Sequence, residues 1–293
     1  MRIYRLITLL SFIFCFQFSF AQLDDALEAS IINVQKDIVG KLTGYVPIKG
    51  NKKLSSRASS SERKIVSDYL SDYLKQIGLK PKRNDYNVAD KQGNTYKGSN
   101  VYAILPATTD SKEYILLGAH YDTSENSPGA VHNATGVALT MYVAGQLNEL
   151  EDRSKNFIIV FFDQQETNMI GCRMFVDKLK KDKMNVTSMH RVDYMGWDID
   201  EDRAIELLAS NISLESAYRL ESPSPVFKRL VSTPETRIFS TLGFENITIT
   251  AELKNGDNSP YVHQPSDTYT TVNFKYLAAT SNIVYKVLTT MSR

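Results

Sequence analysis

Two uninterrupted apolar runs constrain this chain most. Residues 157–162 read Phe-Ile-Ile-Val-Phe-Phe, and residues 114–117 read Tyr-Ile-Leu-Leu. Neither run alternates with polar residues. Each is therefore expected as a strand covered on both faces, the pattern of a parallel sheet lying between helices. Between them, residues 135–150 carry Val137, Met141, Val143, Ala144, Leu147 and Leu150 on a broad apolar surface, which predicts a helix.

The rest of the chain repeats this alternation. Residues 60–77 predict a helix capped by Ser60 or Ser61 and closed at Gly78. Residues 86–88 and 100–105 read as strands joined by a turn at 92–94. A helix is expected over 169–180, a strand ending at 192–195, and further strands over 204–209 and 246–251. Pro223 and Pro225 interrupt residues 214–231, a short helix follows at 238–242, and residues 274–291 form the last helix. The expected fold is a single α/β domain, with a mainly parallel sheet flanked by helices. Residues 58–293 make up that domain. Residues 22–57 are expected to add a helical segment that packs on it, with Leu27, Ile31, Val34 and Ile38 along one face.

Composition narrows the function. The chain has 293 residues, 42% of them hydrophobic, enough for a sizeable core. Its net charge of +1 argues against a nucleic-acid partner. Arg2 and Arg5 precede an apolar stretch over residues 6–20, and Ser19-Phe20-Ala21 supplies small residues at the cleavage positions. Residues 1–21 thus read as a signal peptide, and the mature protein is expected to be exported, periplasmic or secreted, with no transmembrane segment after cleavage. Phe14 precedes Cys15 where a lipoprotein signal carries a small residue. Loss of the signal leaves Cys172 alone, so no intrachain disulfide is expected. Cys172 itself is read as a small buried residue at the start of a helix rather than as a thiolate ligand.

The strand over 114–117 continues into Gly118-Ala119-His120-Tyr121-Asp122. A strand's carboxyl end is where open α/β sheets bind ligands. His120 and Asp122 are two apart and would leave the same face, where the carboxylate can hold the ring and raise its basicity as a metal ligand. A Gly-rich turn, Pro128-Gly129-Ala130-Val131-His132-Asn133-Ala134-Thr135-Gly136, follows and runs into the next helix. The chain has four histidines, and three of them (His120, His132 and His263) lie in such polar segments, whereas His190 would point to the opposite face of its strand.

These segments, together with Asp163-Gln164-Gln165-Glu166, Asp193 and His263, resemble the zinc aminopeptidases of the M28 peptidase family. That family also contains glutaminyl cyclases and non-catalytic relatives. The resemblance extends over roughly residues 55–293. It implies two zinc ions about 3.5 Å apart. His120 and Asp193 would serve one ion, Glu166 and His263 the other, and an Asp in the Gly-rich turn would bridge both.

The chain departs from that pattern twice. The bridging Asp position is His132, and a neutral imidazole offers one lone pair to one metal. Imidazolate bridging would need loss of a second proton. One zinc ion is expected rather than two, with His120, His132, Glu166, Asp193 and His263 as candidate ligands. The general-base position is Gln165, whose carboxamide does not titrate in the useful range, and loss of a general base costs about 10²- to 10⁴-fold in rate. Glu125 and Glu235 are the other carboxylates in nearby loops. Three functions follow from the resemblance. The first is an exported, zinc-dependent aminopeptidase of weak or no activity. The second is a non-catalytic binder of a peptide or protein N-terminus with one or no zinc. The third, ranked last, is a single-zinc glutaminyl-cyclase-like enzyme.

Overall fold

The computed structural model describes residues 25–209, 214–232 and 234–293; the signal-peptide segment, residues 1–21, lies outside the described residues. Residues 25–42 are helical (α1), and α2 is Ser60–Gln76. The hairpin β1 (Lys82–Ala89) and β2 (Thr95–Leu105) follows, then β3 (Glu113–His120), α3 (Thr135–Asn148), β4 (Asn156–Phe162), α4 (Ile170–Lys181) and β5 (Asn185–Val192). The chain continues with β6 (Ile205–Ala209), α5 (Glu215–Glu221), β7 (Val226–Leu230), α6 (Pro234–Ser240), β8 (Glu245–Ala251) and α7 (Phe274–Met291).

The eight strands form one mixed sheet in the order β1-β2-β4-β3-β5-β8-β6-β7. Its centre, β4-β3-β5-β8, is parallel, and the β1-β2 hairpin flanks it antiparallel to β4. On the other flank β6 pairs antiparallel with β8 and parallel with the edge strand β7.

The apolar runs sit at that centre. Every residue of β4 is buried, and Phe157, Ile159 and Phe161 enter one hydrophobic cluster while Ile158, Val160 and Phe162 enter the other. Ile115 and Leu117 divide from Leu116 in the same way. The first cluster packs under α2, α3 and α7, and the second under α4 and α6. A strand whose two faces are both covered cannot alternate with polar residues, which is why these runs are continuous. Cutting Phe161 to Ala would cost about 3–5 kcal/mol. Gly118 is demanded by this packing, because a Cβ there would lie 2.7 Å from Val160 Cγ1 and 2.8 Å from its carbonyl oxygen.

Several boundaries differ from the sequence reading. The N-cap of α2 is Ser59, not Ser60 or Ser61: Ser59 Oγ accepts from the Glu62 N–H, and the Glu62 carboxylate reaches back to the Ser59 N–H. The hairpin strands extend into polar sequence, with Ala89 paired to Thr95, because backbone pairing needs no apolar side chain. Asp90 closes the turn by accepting from the Gln92 and Asn94 N–H groups. On α1, Ile31 and Ile38 are buried in the first cluster, but Leu27 is 45% exposed. Among the described residues no helix is long and apolar enough to cross a membrane.

Candidate metal centre

The parallel strands β3, β4, β5 and β8 end on the same side of the sheet. The chain leaves them carrying His120, Asp163 to Glu166, Asp193 and, after a longer loop, His263. Asp193 stands one residue past β5, where its N–H donates to Ile249 O at 3.1 Å. It is not within a strand running to residue 195, because Tyr194 turns to φ 50°. Asp122 likewise lies beyond the end of β3.

His120 is 1% exposed. Its Nδ1 lies 3.1 Å from the Asp122 carbonyl and 3.3 Å from Asp122 Oδ1, and its Nε2 lies 3.4 Å from Asp193 Oδ1. The Asp122 carboxylate has a second task. It accepts the Gln165 N–H at 2.9 Å and the Glu166 N–H at 3.0 Å, which fixes the loop after β4 against the end of β3.

His132 occupies the middle of the site. Its Nδ1 is 2.9 Å from Asp193 Oδ1 and its Nε2 is 2.7 Å from Glu166 Oε1. Glu166 also meets His263, whose Nε2 is 3.2 Å from Oε2. The His132 ring stacks on Tyr194 at 4.2 Å between centroids and meets the rings of His120 and His263 edge-on at 4.6 and 4.9 Å. The result is two possible ligand groups, His120-His132-Asp193 and His132-Glu166-His263, with the ligand atoms of each group within 4.8 Å of one another. The five candidate ligands therefore meet at one place, and His132 belongs to both groups.

Charge explains the arrangement without metal. Burial alone would lower the His120 pKa, but the charges of Asp193 and Asp122 outweigh it and raise it to about 10. Burial opposes protonation of His132 as well, and Asp193 and Glu166 again outweigh it. Burial would raise Glu166, yet the hydrogen bond from His132 and the three imidazoles bring it down to about 2. His132 and His120 hold Asp193 well below the usual carboxylate range against its burial. A divalent cation would replace the protons that now neutralise these carboxylates.

Gln165 is buried, and its Oε1 accepts from the Cys172 thiol at 3.1 Å. Cys172 is fully buried in α4 and belongs to neither ligand group. Glu125 is exposed and likewise outside both groups. The side chain of Glu235 lies outside the described residues. Asp163 belongs to neither ligand group and is paired with Arg63 at 2.8 Å. Its burial raises its pKa to about 6 despite that partner.

Sequence reasoning missed the residues that hold the Gly-rich turn. Arg57 is fully buried and donates to the carbonyls of Leu42, Tyr121, Pro128 and Gly129. Burial brings its pKa down to about 10. Asp267 accepts the Val131 and His132 N–H groups at 2.9 and 3.1 Å. Gly129 makes the turn at φ 63°, and a Cβ there would sit 2.3 Å from Thr123 Cγ2.

The family model described as Peptidase family M28 matches residues 100–288. A probable zinc metalloprotease of Pyrenophora tritici-repentis is 26% identical over 112 residues, which is 36% of this chain and 26% of that protein. The chain spans about a quarter or less of the length of the curated relatives it matches. Among solved structures, BSAP, a zinc aminopeptidase from Bacillus subtilis, is similar with a TM-score of 0.77 at 11% identity, over 89% of this chain and 95% of BSAP. The glutaminyl cyclase of Porphyromonas gingivalis is similar with a TM-score of 0.72 at 15% identity, over 89% of this chain and 98% of the cyclase. At these identities the likeness to both structures is one of fold.

Proposed function

The chain belongs to peptidase family M28, whose model matches residues 100–288, and on that premise we propose an exported protein that holds one zinc ion, engages peptide or protein N-termini and hydrolyses them slowly or not at all. The observation that carries this reading is that both ligand groups contain His132. A neutral imidazole lends one lone pair, so an ion in either group takes the shared ligand from the other.

The residues present fit zinc. Their donors are imidazole nitrogen and carboxylate oxygen, and His120 Nε2 is buried with the Asp193 carboxylate facing it at 3.4 Å, longer than a good hydrogen bond. When bound, zinc supplies a Lewis acid that polarises a carbonyl. The chain's own groups do the rest. Asp122 orients His120 and ties down the Gln165–Glu166 backbone. Asp267 and Arg57 hold the turn that presents His132. Gln165 can orient a water or a peptide amide, but it cannot accept and return a proton.

The engagement of Gln165 with Cys172 favours a second reading, a binder of N-termini without turnover. Elemental analysis of the purified protein, run beside hydrolysis of aminoacyl anilides, separates the cases. One zinc per chain with slow turnover is expected. Two zinc ions per chain would overturn the shared-ligand reading, robust turnover would overturn slow hydrolysis, and zinc without any turnover would select the binder. For export, N-terminal sequencing of protein made with its leader is expected to begin at Gln22.

A further inference from the structure

A second group of potential ligands lies away from the histidines. Asp198, Asp200 and Asp202 alternate along the loop between β5 and β6, and Asp257 reaches them from the loop after β8. One carboxylate oxygen from each of the four lies within 4.8 Å of the others. The exposed members, Asp200 and Asp202, would be unremarked on a solvated surface. Asp257 is different, because it is only 4% exposed and its Oδ2 is buried without a donor among the described residues, although its Oδ1 accepts the Ile199 N–H at 2.8 Å. Asp198 Oδ1 is also buried without a donor. The nearby Glu252 is 7% exposed, and its Oε2 has no donor either.

Compensating cations are missing. Among the described residues none of these five carboxylates is in an ion pair; Arg203 is paired with Glu28 and Arg229 with Glu206. The donors that reach the group are neutral: Asn255 to Asp200 Oδ2 at 3.2 Å, the Asp202 N–H to Asp200 Oδ1 at 3.3 Å, Asn273 to Asp198 Oδ2 at 3.5 Å, the Ala204 N–H to Asp202 Oδ1 at 2.7 Å, and the backbone N–H of Arg203 to Asp198. Buried carboxylates that crowd together without a cation are costly unless protons or a metal neutralise them.

We propose that Asp198, Asp200, Asp202 and Asp257 form a calcium site that joins the β5–β6 loop to the loop after β8. An all-oxygen, carboxylate-rich set drawn from two irregular loops suits a large, hard cation of variable geometry, whereas zinc favours the imidazole set described above. The two clamped loops also carry Asp193 and His263, and between them Trp197 and Tyr261 pack edge to face at 5.3 Å. The ion would therefore fix one half of the histidine site relative to the other, although its binding does not depend on what that site does.

Trp197 offers the test, since it is the single tryptophan of the chain and immediately precedes Asp198. Terbium is titrated into zinc-saturated protein, with its emission excited through the tryptophan band. Sensitised emission that calcium displaces with a dissociation constant on the order of 10⁻⁴ M, and that magnesium displaces less well, is expected. Asp200→Asn, at an exposed position, should weaken terbium and calcium at least about tenfold while the protein stays folded. Asp257→Asn should weaken them more, and calcium should raise the melting temperature of the wild type but not of Asp200→Asn. Absence of sensitised emission, or calcium affinity unaltered in folded Asp200→Asn protein, would overturn the proposal.

Discussion

His190 and the pair His120 and His132 are equally sequestered from water, yet they favour opposite protonation states. His190 is 0% exposed, and His120 and His132 are 1% and 4% exposed. The ring of His190 faces hydroxyls only, Tyr218 Oη at 2.8 Å from Nδ1 and Ser188 Oγ at 3.2 Å from Nε2. Nothing there offsets desolvation, and burial lowers its pKa to about 3. His120 and His132 face Asp122, Asp193 and Glu166, and their pKa values rise. Burial is therefore a poor guide to a working histidine in this fold. The carboxylates around the ring decide whether it is held neutral as packing or held ready to exchange a proton for a metal.

The comparison sharpens most if chemistry can be restored on the carboxylate side. Gln165→Glu combined with His132→Asp returns a titratable group and a two-oxygen bridge to the same site. Hydrolysis of an aminoacyl anilide is expected to rise by about 10²- to 10⁴-fold over the wild type, with zinc content increasing from one to two per chain. A double variant that takes up two zinc ions and remains inert would show that the missing function lies outside these two positions.

A smaller effect separates a carboxylate neighbour from a hydroxyl neighbour. Asp122→Asn weakens the acceptor beside His120 Nδ1 and one of the two that hold the Gln165–Glu166 backbone. Zinc affinity should fall by about 10- to 100-fold, as it does when a ligand's outer partner is lost. Ser188→Ala, beside His190, should leave zinc affinity unchanged. Equal losses in both variants would break the distinction between the two regions.

How much of this was legible depended on the range of each interaction. The sheet centre was readable because residues 115–117 and 157–162 carry their own burial on both faces, independent of partners. The ligand positions were readable because strand ends in a parallel sheet bring them to one place. Arg57 and Asp267 were not, since each acts on the backbone of a distant turn; Asp267 reaches His132 across 135 positions. Nothing local to Asp267 marks that role. Ser59 was missed for another reason: three consecutive serines at 59–61 offer similar caps, and only Glu62 at the third helical position selects Ser59. The orientation of Gln165 toward Cys172 depends on how α4 packs on β4, which no periodicity records.

The smallest predicted effect bears directly on His190. A histidine whose pKa is lower folded than unfolded binds fewer protons in the native state, so its contribution to stability is complete above the unfolded pKa of about 6.5 and is lost as pH falls toward the folded value of about 3. His120 has the opposite sign: its contribution in metal-free protein is complete below about 6.5 and is lost as pH rises through about 10. Between pH 7 and 5.5 the raised histidines of the site gain stability, because the unfolded chain is only then taking up protons that they already hold, and Asp163 titrates in the same range, so His190 is isolated by difference. Over that interval the wild type should lose about 1.3 kcal/mol relative to His190→Gln in urea unfolding, the variant being the less stable of the two at pH 7. Wild-type and His190→Gln profiles that run parallel from pH 7 to 5.5 would mean that His190 takes up a proton in the folded core, and that hydroxyl partners can hold an imidazolium as carboxylates do.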